Sequence, residues 1–309
     1  MRRNPELSSK GTTMKTLGVV LVTLVGGIAA FASVANAQTL QKIADSNKIT
    51  VSYREASVPF SYLVAPGKAV GLSADLTEAI VADVRKKLNR PNLEVAYMPV
   101  NAQNRIPLLA NGTYDLECGS TTNTAARGKD VAFAISYFYA GTRLLTRKSA
   151  AIRNYSDLAN KTVATVGGST NEKVLRQHSD ERKLNIEFSL AKDYAEAWQQ
   201  LESDRVAALA LDDVLLYGMR ANAKNPSEFE VVGDTLQVEP YGCMVRKDDP
   251  EFKQLVDGTI AGMMKSGEFK RLYSKWFESP MPPKDVNLNM PMSEALAANL
   301  TVLSDKPAM

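Results

Sequence analysis

From Ile49 onward the chain alternates apolar runs of strand length with longer stretches in which apolar residues recur every three or four positions. Ile49 to Tyr53 reads as a strand. Ser73 to Leu88 reads as an amphipathic helix, because Leu76, Ile80, Val84 and Leu88 fall on one face. Leu93 to Met98 reads as a strand, Arg105 to Ala110 as a short helix with Pro107 in its first turn, and Tyr114 to Cys118 as a strand. After Arg143-Leu144-Leu145-Thr146 the pattern restarts, with strands near Thr162 to Val166, Asn185 to Phe188 and Val206 to Leu211. Helices near Thr170 to Gln177 and Asp193 to Leu201 separate them, the second resting on Ala197, Trp198 and Leu201, which share one face. Tyr241 to Val245 is strand-like again. The chain is then helical from about Pro250 to Phe277, until Pro280, Pro282 and Pro283 stop it, and the tail from Lys284 carries only a weak pattern.

The segment before these elements follows a different logic. Arg2, Arg3, Lys10 and Lys15 precede an apolar run from Leu17 to about Ala32, and Ala35-Asn36-Ala37 supplies small residues for cleavage before Gln38. Residues 1–37 therefore read as a secretory signal peptide, with Met14 as an alternative start. A membrane anchor is the competing reading, but the run is short and contains Gly26-Gly27. No Cys lies near the cleavage site, so lipid attachment there is excluded. Removing this leader takes four Lys/Arg and one Glu out of 37 basic and 34 acidic residues and leaves 33 of each, so nothing in the charge suggests nucleic acid as a partner.

About 270 residues remain, more than one core usually organises, so two lobes are expected. The first takes residues 38–141 and 242–309 and the second residues 142–241, with crossings near Ala140 to Leu145 and near Glu239 to Cys243. Cys118 and Cys243, the only two cysteines, would meet in an oxidising compartment and read as one disulfide, two buried free thiols being the alternative. A crosslink over so long a loop contributes up to about 5 kcal/mol in the chain-entropy description.

Four segments place polar groups just after strands: Arg54 to Ser57, Asn101 to Arg105, Ser120 to Arg127, and Gly167 to Thr170. Ligands of open α/β sheets bind at such positions. Arginine recurs in three of the four, and its planar fork of donors matches a carboxylate. Glu117-Cys118-Gly119-Ser120-Thr121-Thr122-Asn123 sets hydroxyls and backbone amides beside Arg127. Gly167-Gly168-Ser169-Thr170 opens a helix, where Ser169 and Glu172 fit a capping box and free amides suit an anion. Asp212 ends a strand and reads either as a helix cap or as a counter-charge for an ammonium group. One such carboxylate pair, Asp212-Asp213, lacks the other ligands that a metal site needs. His178, the only histidine, lies in a polar stretch that reads as surface, and without a second histidine or a thiolate there is little support for nucleophilic catalysis.

At these residues the chain closely resembles the periplasmic glutamate/aspartate-binding proteins of amino-acid ABC transporters, within the family 3 solute-binding proteins. The resemblance is carried by Arg54 to Tyr62, Gln103 to Leu109, Asn111-Gly112-Thr113, Glu117 to Asn123, Gly141 to Leu145, and Tyr241 to Pro250, in order along nearly the whole chain after the leader. It implies a two-lobed α/β periplasmic binding protein fold of type II, with the ligand in a cleft between lobes joined by two hinge crossings. It implies a periplasmic protein, monomeric and without a cofactor, whose partners are glutamate or aspartate and an ABC permease in the inner membrane. By position, Arg127 with Ser120 and Thr122 would hold the α-carboxylate and Asp212 the α-ammonium. Arg54 and Arg105 would hold the side-chain carboxylate, with Ser169 and Thr170 contributed by the second lobe. Two positions depart from the family pattern: Ala102 stands where a serine is usual, and Tyr194 where a histidine is. Both fall where the side-chain carboxylate is read, and they leave the balance between glutamate and aspartate open.

Charge counting favours the same ligand class, since three arginines against Asp212 leave an excess of two positive charges that a second carboxylate would neutralise. With Tyr194 in place of histidine, no site group is expected to titrate between about pH 6 and pH 8. A dehydratase-like enzyme on the same fold is the competing function, and it would need a general acid or base beyond these residues. A chemosensory role in addition to binding is compatible with the same features.

Overall fold

The computed structural model describes residues 39–308; the leader read above as a signal peptide lies outside the described residues. The described chain begins with helix α1 (Thr39–Ser46) and strand β1 (Lys48–Tyr53). Three short strands follow, β2 (Ala56–Ser57), β3 (Ser61–Ala65) and β4 (Lys68–Val70), forming a small antiparallel sheet. Helix α2 (Leu72–Leu88) buries Leu76, Ile80 and Val84 as its period requires, and Asn89, in the left-handed region at φ 51°, closes it by donating to the carbonyls of Arg85 and Lys86. Strand β5 (Glu94–Pro99) runs parallel to β1, and α3 (Arg105–Ala110) follows it.

The centre of the molecule is one long strand, β6 (Val131–Arg147). Strands β7 (Thr162–Val166), β8 (Glu187–Ala191) and β9 (Ala208–Asp212) alternate with helices α4 (Thr170–Arg182), α5 (Tyr194–Glu202) and α6 (Asp213–Asn222). Strands β10 (Phe229–Val232) and β11 (Val238–Arg246) then return along β6. β6 pairs antiparallel with β11 over Val131 to Gly141, and with β9 and β10 over Thr142 to Arg147. It is the strand along which the chain passes from one group of elements to the other. Helices α7 (Pro250–Ser266) and α8 (Glu268–Phe277), separated at Gly267, pack near α2, and α9 (Glu294–Val302) lies against β6.

Several expectations shift. The stretch from Tyr114 to Cys118 is not a strand: Leu116 bridges β1 at Val51, and Glu117 bridges β11 at Met244. Changing partner after one residue leaves no ladder to extend. The strand expected at Asn185 to Phe188 starts at Glu187, and the helix expected to end at Gln177 runs to Arg182. The expected helix from Pro250 to Phe277 is two helices. The tail is ordered structure and not an appendage, because the main chain of Ser136 donates to Ser304 and Asn299 donates to the Ser136 carbonyl. Cys118 and Cys243 form a disulfide, with Cα atoms 4.2 Å apart.

Candidate functional site

The residues singled out in the sequence converge where the ends of β1, β5, β7 and β9 meet the Gly119 to Asn123 loop. The loop is held from three sides. Cys118 is bonded to Cys243, the Tyr137 hydroxyl donates to the Gly119 carbonyl, and Thr122 bridges Tyr241. Gly119 is the one residue that leaves space here, since a Cβ on it would meet Glu117 Oε1 at 2.3 Å and Arg54 Cγ at 3.2 Å.

Arg54, just after β1, is 2% exposed, and its Nη1 has no hydrogen-bond partner. Its guanidinium carbon lies 5.1 Å from the centre of the Tyr194 ring, a cation–π distance. Arg105 opens α3, is equally buried, and donates through Nη1 to the Ser120 carbonyl at 3.1 Å, while its Nε has no partner. Burial, and then the neighbouring Arg54 guanidinium, push the Arg105 pKa down. Arg127 donates to the Thr122 carbonyl at 2.9 Å and across to the Gly168 carbonyl at 3.1 Å. Burial, and then Arg105, lower it to about 10. Among the described residues none of these three guanidinium groups is in an ion pair with a carboxylate. Three like charges gathered, two of them with unsatisfied nitrogen atoms, are costly unless an anion completes them.

The hydroxyls cross-link the two groups of elements. Ser120 Oγ donates to Ser57 Oγ at 3.3 Å and contacts the Tyr194 hydroxyl at 3.2 Å; with its own proton given to Ser57, it accepts from the phenol. Thr122 Oγ1 and Thr170 Oγ1 lie 3.3 Å apart. Gly168, at φ 77°, brings its backbone against Ala102 and Gln103: a Cβ there would lie 3.1 Å from the Ala102 carbonyl oxygen. Ala102, Gln103, Arg127, Ser169, Thr170 and Gln237 line a cavity of about 600 Å³ at this seam. Another, of about 500 Å³, lies between the β3–β4 hairpin and α8 and touches none of the expected ligand-holding residues.

Four expectations are corrected here. Ser169 caps α4 by accepting from the Glu172 amide, but the Glu172 carboxylate accepts from Gly168 and not from Ser169, so the capping box is half made. The count of three arginines against one carboxylate omits Glu117 and Glu239, both fully buried nearby; Glu117 acts on Arg105, and Glu239 on Arg127 and Asp212. The excess positive charge is therefore smaller than two. The site also holds a group that titrates near neutrality. Asp212 is 2% exposed, accepts from Asn171 Nδ2 at 2.8 Å and from the Tyr241 hydroxyl, and is pushed up to about 8 by burial and by the Glu239 carboxylate. It ends β9 and precedes α6 without capping it; Asp213 bonds the amides of Gly141 and Val214 instead. His178 is half-buried against the Tyr155 ring, 5.0 Å between centres, and not simply at the surface.

Sequence reasoning missed Ser57, Asn171, Glu239 and Tyr241. Tyr241-Gly242-Cys243 was visible as a strand, and the alternation along it placed Tyr241 and Cys243 on one face, the only available hint that the phenol points at the site.

Residues 49–279 match the profile of the bacterial extracellular solute-binding proteins, family 3. A glutamate/aspartate import solute-binding protein of Escherichia coli is 47% identical over 275 residues, covering 89% of this chain and 91% of that protein. An L-glutamate/L-aspartate-binding protein of Pseudomonas aeruginosa is 47% identical over 271 residues, covering 87% and 90%. Among solved structures, an ancestral arginine-binding protein bound to arginine superposes with a TM-score of 0.67 at 29% identity, covering 75% of this chain and 98% of that one.

Proposed function

The chain belongs to the bacterial extracellular solute-binding proteins of family 3, and from that we propose that it captures L-glutamate or L-aspartate and delivers it to an ABC permease for import. The observation that carries this reading is the buried arginine cluster, in which Arg54 Nη1 and Arg105 Nε are without partners. A ligand with one carboxylate satisfies Arg127 alone; a dicarboxylic amino acid reaches Arg54 and Arg105 as well. The roles follow from position. Arg127, Ser120 and Thr122 take the α-carboxylate, Asp212 the α-ammonium, Arg54 and Arg105 the distal carboxylate. Ser169, Thr170 and Tyr194 close over the ligand from the far side. That far side is a second lobe, residues 142–241, hinged on the first, residues 38–141 and 242–309, where β6 and β11 run side by side. Export through cleavage of residues 1–37 into the periplasm, and action as a monomer, belong to the same reading. The relatives named for glutamate and aspartate support the ligand class.

Calorimetry with glutamate, aspartate, glutamine and asparagine tests it. The two acids are expected to bind on the order of 2 to 5 kcal/mol more tightly than their amides, the cost of leaving a buried charged donor unpaired. Equal affinity for glutamate and glutamine would remove the ground for the assignment.

A further inference from the structure

The ligand-binding scheme leaves two fully buried carboxylates without a task, Glu117 and Glu239, and Glu239 is the one hydrogen-bonded toward Asp212. It sits on β11 opposite Ala140 of β6, on the two strands that cross between the groups of elements. A chain of hydrogen bonds ties it to Asp212. Asn171 gives one Nδ2 proton to Asp212 Oδ1 and the other to Thr142 Oγ1, each at 2.8 Å. Thr142, having accepted, turns its own proton to Glu239 Oε1 at 3.3 Å. The second oxygen, Glu239 Oε2, has no partner. Two buried carboxylates thus hold the two ends of one Thr–Asn bridge.

We propose that Glu239 is a positioning residue for Asp212, linked to it through Thr142 and Asn171, and that its carboxylate helps hold on Asp212 a proton which is released when the ligand's ammonium group binds. This rests on the reading of Asp212 as the ammonium acceptor. The other groups facing the pair are Tyr241 on β11, Asp213 on α6 with Arg143 beside it, Tyr194 on α5, and Arg127 from the loop. Only Arg127 and Arg143 are cationic, and neither forms an ion pair with Asp212 or Glu239. Two like charges so placed cannot both ionise cheaply, and an ammonium arriving beside them removes the penalty. The direction follows by linkage. The free protein holds a proton that the complex does not, so affinity rises with pH, by up to about tenfold per unit for one proton released.

The test is calorimetry of glutamate binding from pH 6 to pH 7.5 in buffers of different ionisation enthalpy, with wild type, Glu239→Gln and Asp212→Asn. Gln keeps an oxygen that accepts from Thr142 while removing the charge. Wild type is expected to release close to one proton per glutamate, and Glu239→Gln clearly less, with a shallower rise of affinity across the range, since burial alone still raises the Asp212 pKa. Asp212→Asn is expected to weaken binding at least about a hundredfold, the loss of a buried charge partner. Wild type releasing no proton overturns the proposal even if the variants do not fold. So does Glu239→Gln with wild-type release, and if Asp212→Asn still abolishes binding in that case, the ammonium assignment stands and only the role of Glu239 falls. Asp212→Asn with wild-type affinity overturns the assignment itself.

Discussion

Tyr194 shows how a single departure from a family pattern becomes a physical question. Its ring lies under the Arg54 guanidinium and its hydroxyl reaches Ser120 across the seam, so it touches both an arginine and a hydroxyl assigned to the ligand. Phenylalanine would keep the ring and lose the hydroxyl. Tyr194→Phe is therefore expected to weaken glutamate binding by roughly 1 to 3 kcal/mol, the range for a hydrogen bond to a charged group, as measured by calorimetry. Tyr194→Leu should lose about 0.5 to 2 kcal/mol more, because the cation–π contact goes too. Unchanged affinity in Tyr194→Phe would show that the hydroxyl serves Ser120 alone. At this scale the sequence was informative for groups with one strong chemistry: Arg54, Arg105 and Arg127 could be picked out because arginines recurred after successive strands. Asn171, Glu239 and Tyr241 were not legible, since each has an ordinary place in a helix or strand and acquires its role only from what faces it.

Among elements, those with an exposed face were the readable ones. Helix α2 and strand β5 stand close to where the pattern put them. β6 was nearly invisible because it is buried along almost its whole length, and a strand covered on both faces shows no alternation. The small β2–β3–β4 sheet was missed because strands of two to five residues are too short to show a period. The tail was missed for a different reason: its order comes from contacts far away in sequence. Helix α9 buries Leu296 and Leu300, and the residues after it reach the ligand loop. Asn123 Nδ2 donates to the Asp305 carbonyl at 2.7 Å, and Ala308 donates to the Asn123 carbonyl at 2.8 Å, one residue from Thr122. Lys253 pairs with Asp305 at 2.8 Å and anchors the strap to α7. Ending the chain after Leu303 should thus free the Thr122 to Arg127 segment. Each lost hydrogen bond is worth about 1 kcal/mol, and amide exchange there should speed up correspondingly while the exchange of α2 stays as it is. Unaltered exchange in that segment would mean that the strap bears no load.

For the molecule as a whole, the disulfide poses the question of whether it shapes the site or only the unfolded chain. Cys118 directly precedes Gly119 and Ser120, and its partner lies 125 residues away on β11, so the crosslink encloses all of β6 and everything from β7 to β10. Closing a loop of that length stabilises the folded protein by up to about 5 kcal/mol, chiefly by restricting the unfolded chain. The folded loop has other restraints. Glu117 and Met244 exchange two backbone hydrogen bonds, at 3.2 and 2.7 Å, and the Gly242 amide donates to the Thr121 carbonyl at 3.2 Å, so the loop is fastened to β11 on both sides of the sulfur atoms. These bonds do not depend on the crosslink. Thiol titration of the exported protein, denatured but not reduced, should find no free thiol. A Cys118→Ala, Cys243→Ala variant should lose several kcal/mol in denaturant unfolding, yet bind glutamate within about threefold of wild type, a difference of less than 1 kcal/mol. Should affinity instead fall as steeply as stability, the backbone pairing of Glu117 with Met244 would be insufficient to hold the loop, and the disulfide would have to be counted among the groups that position Ser120 and Thr122 for the ligand.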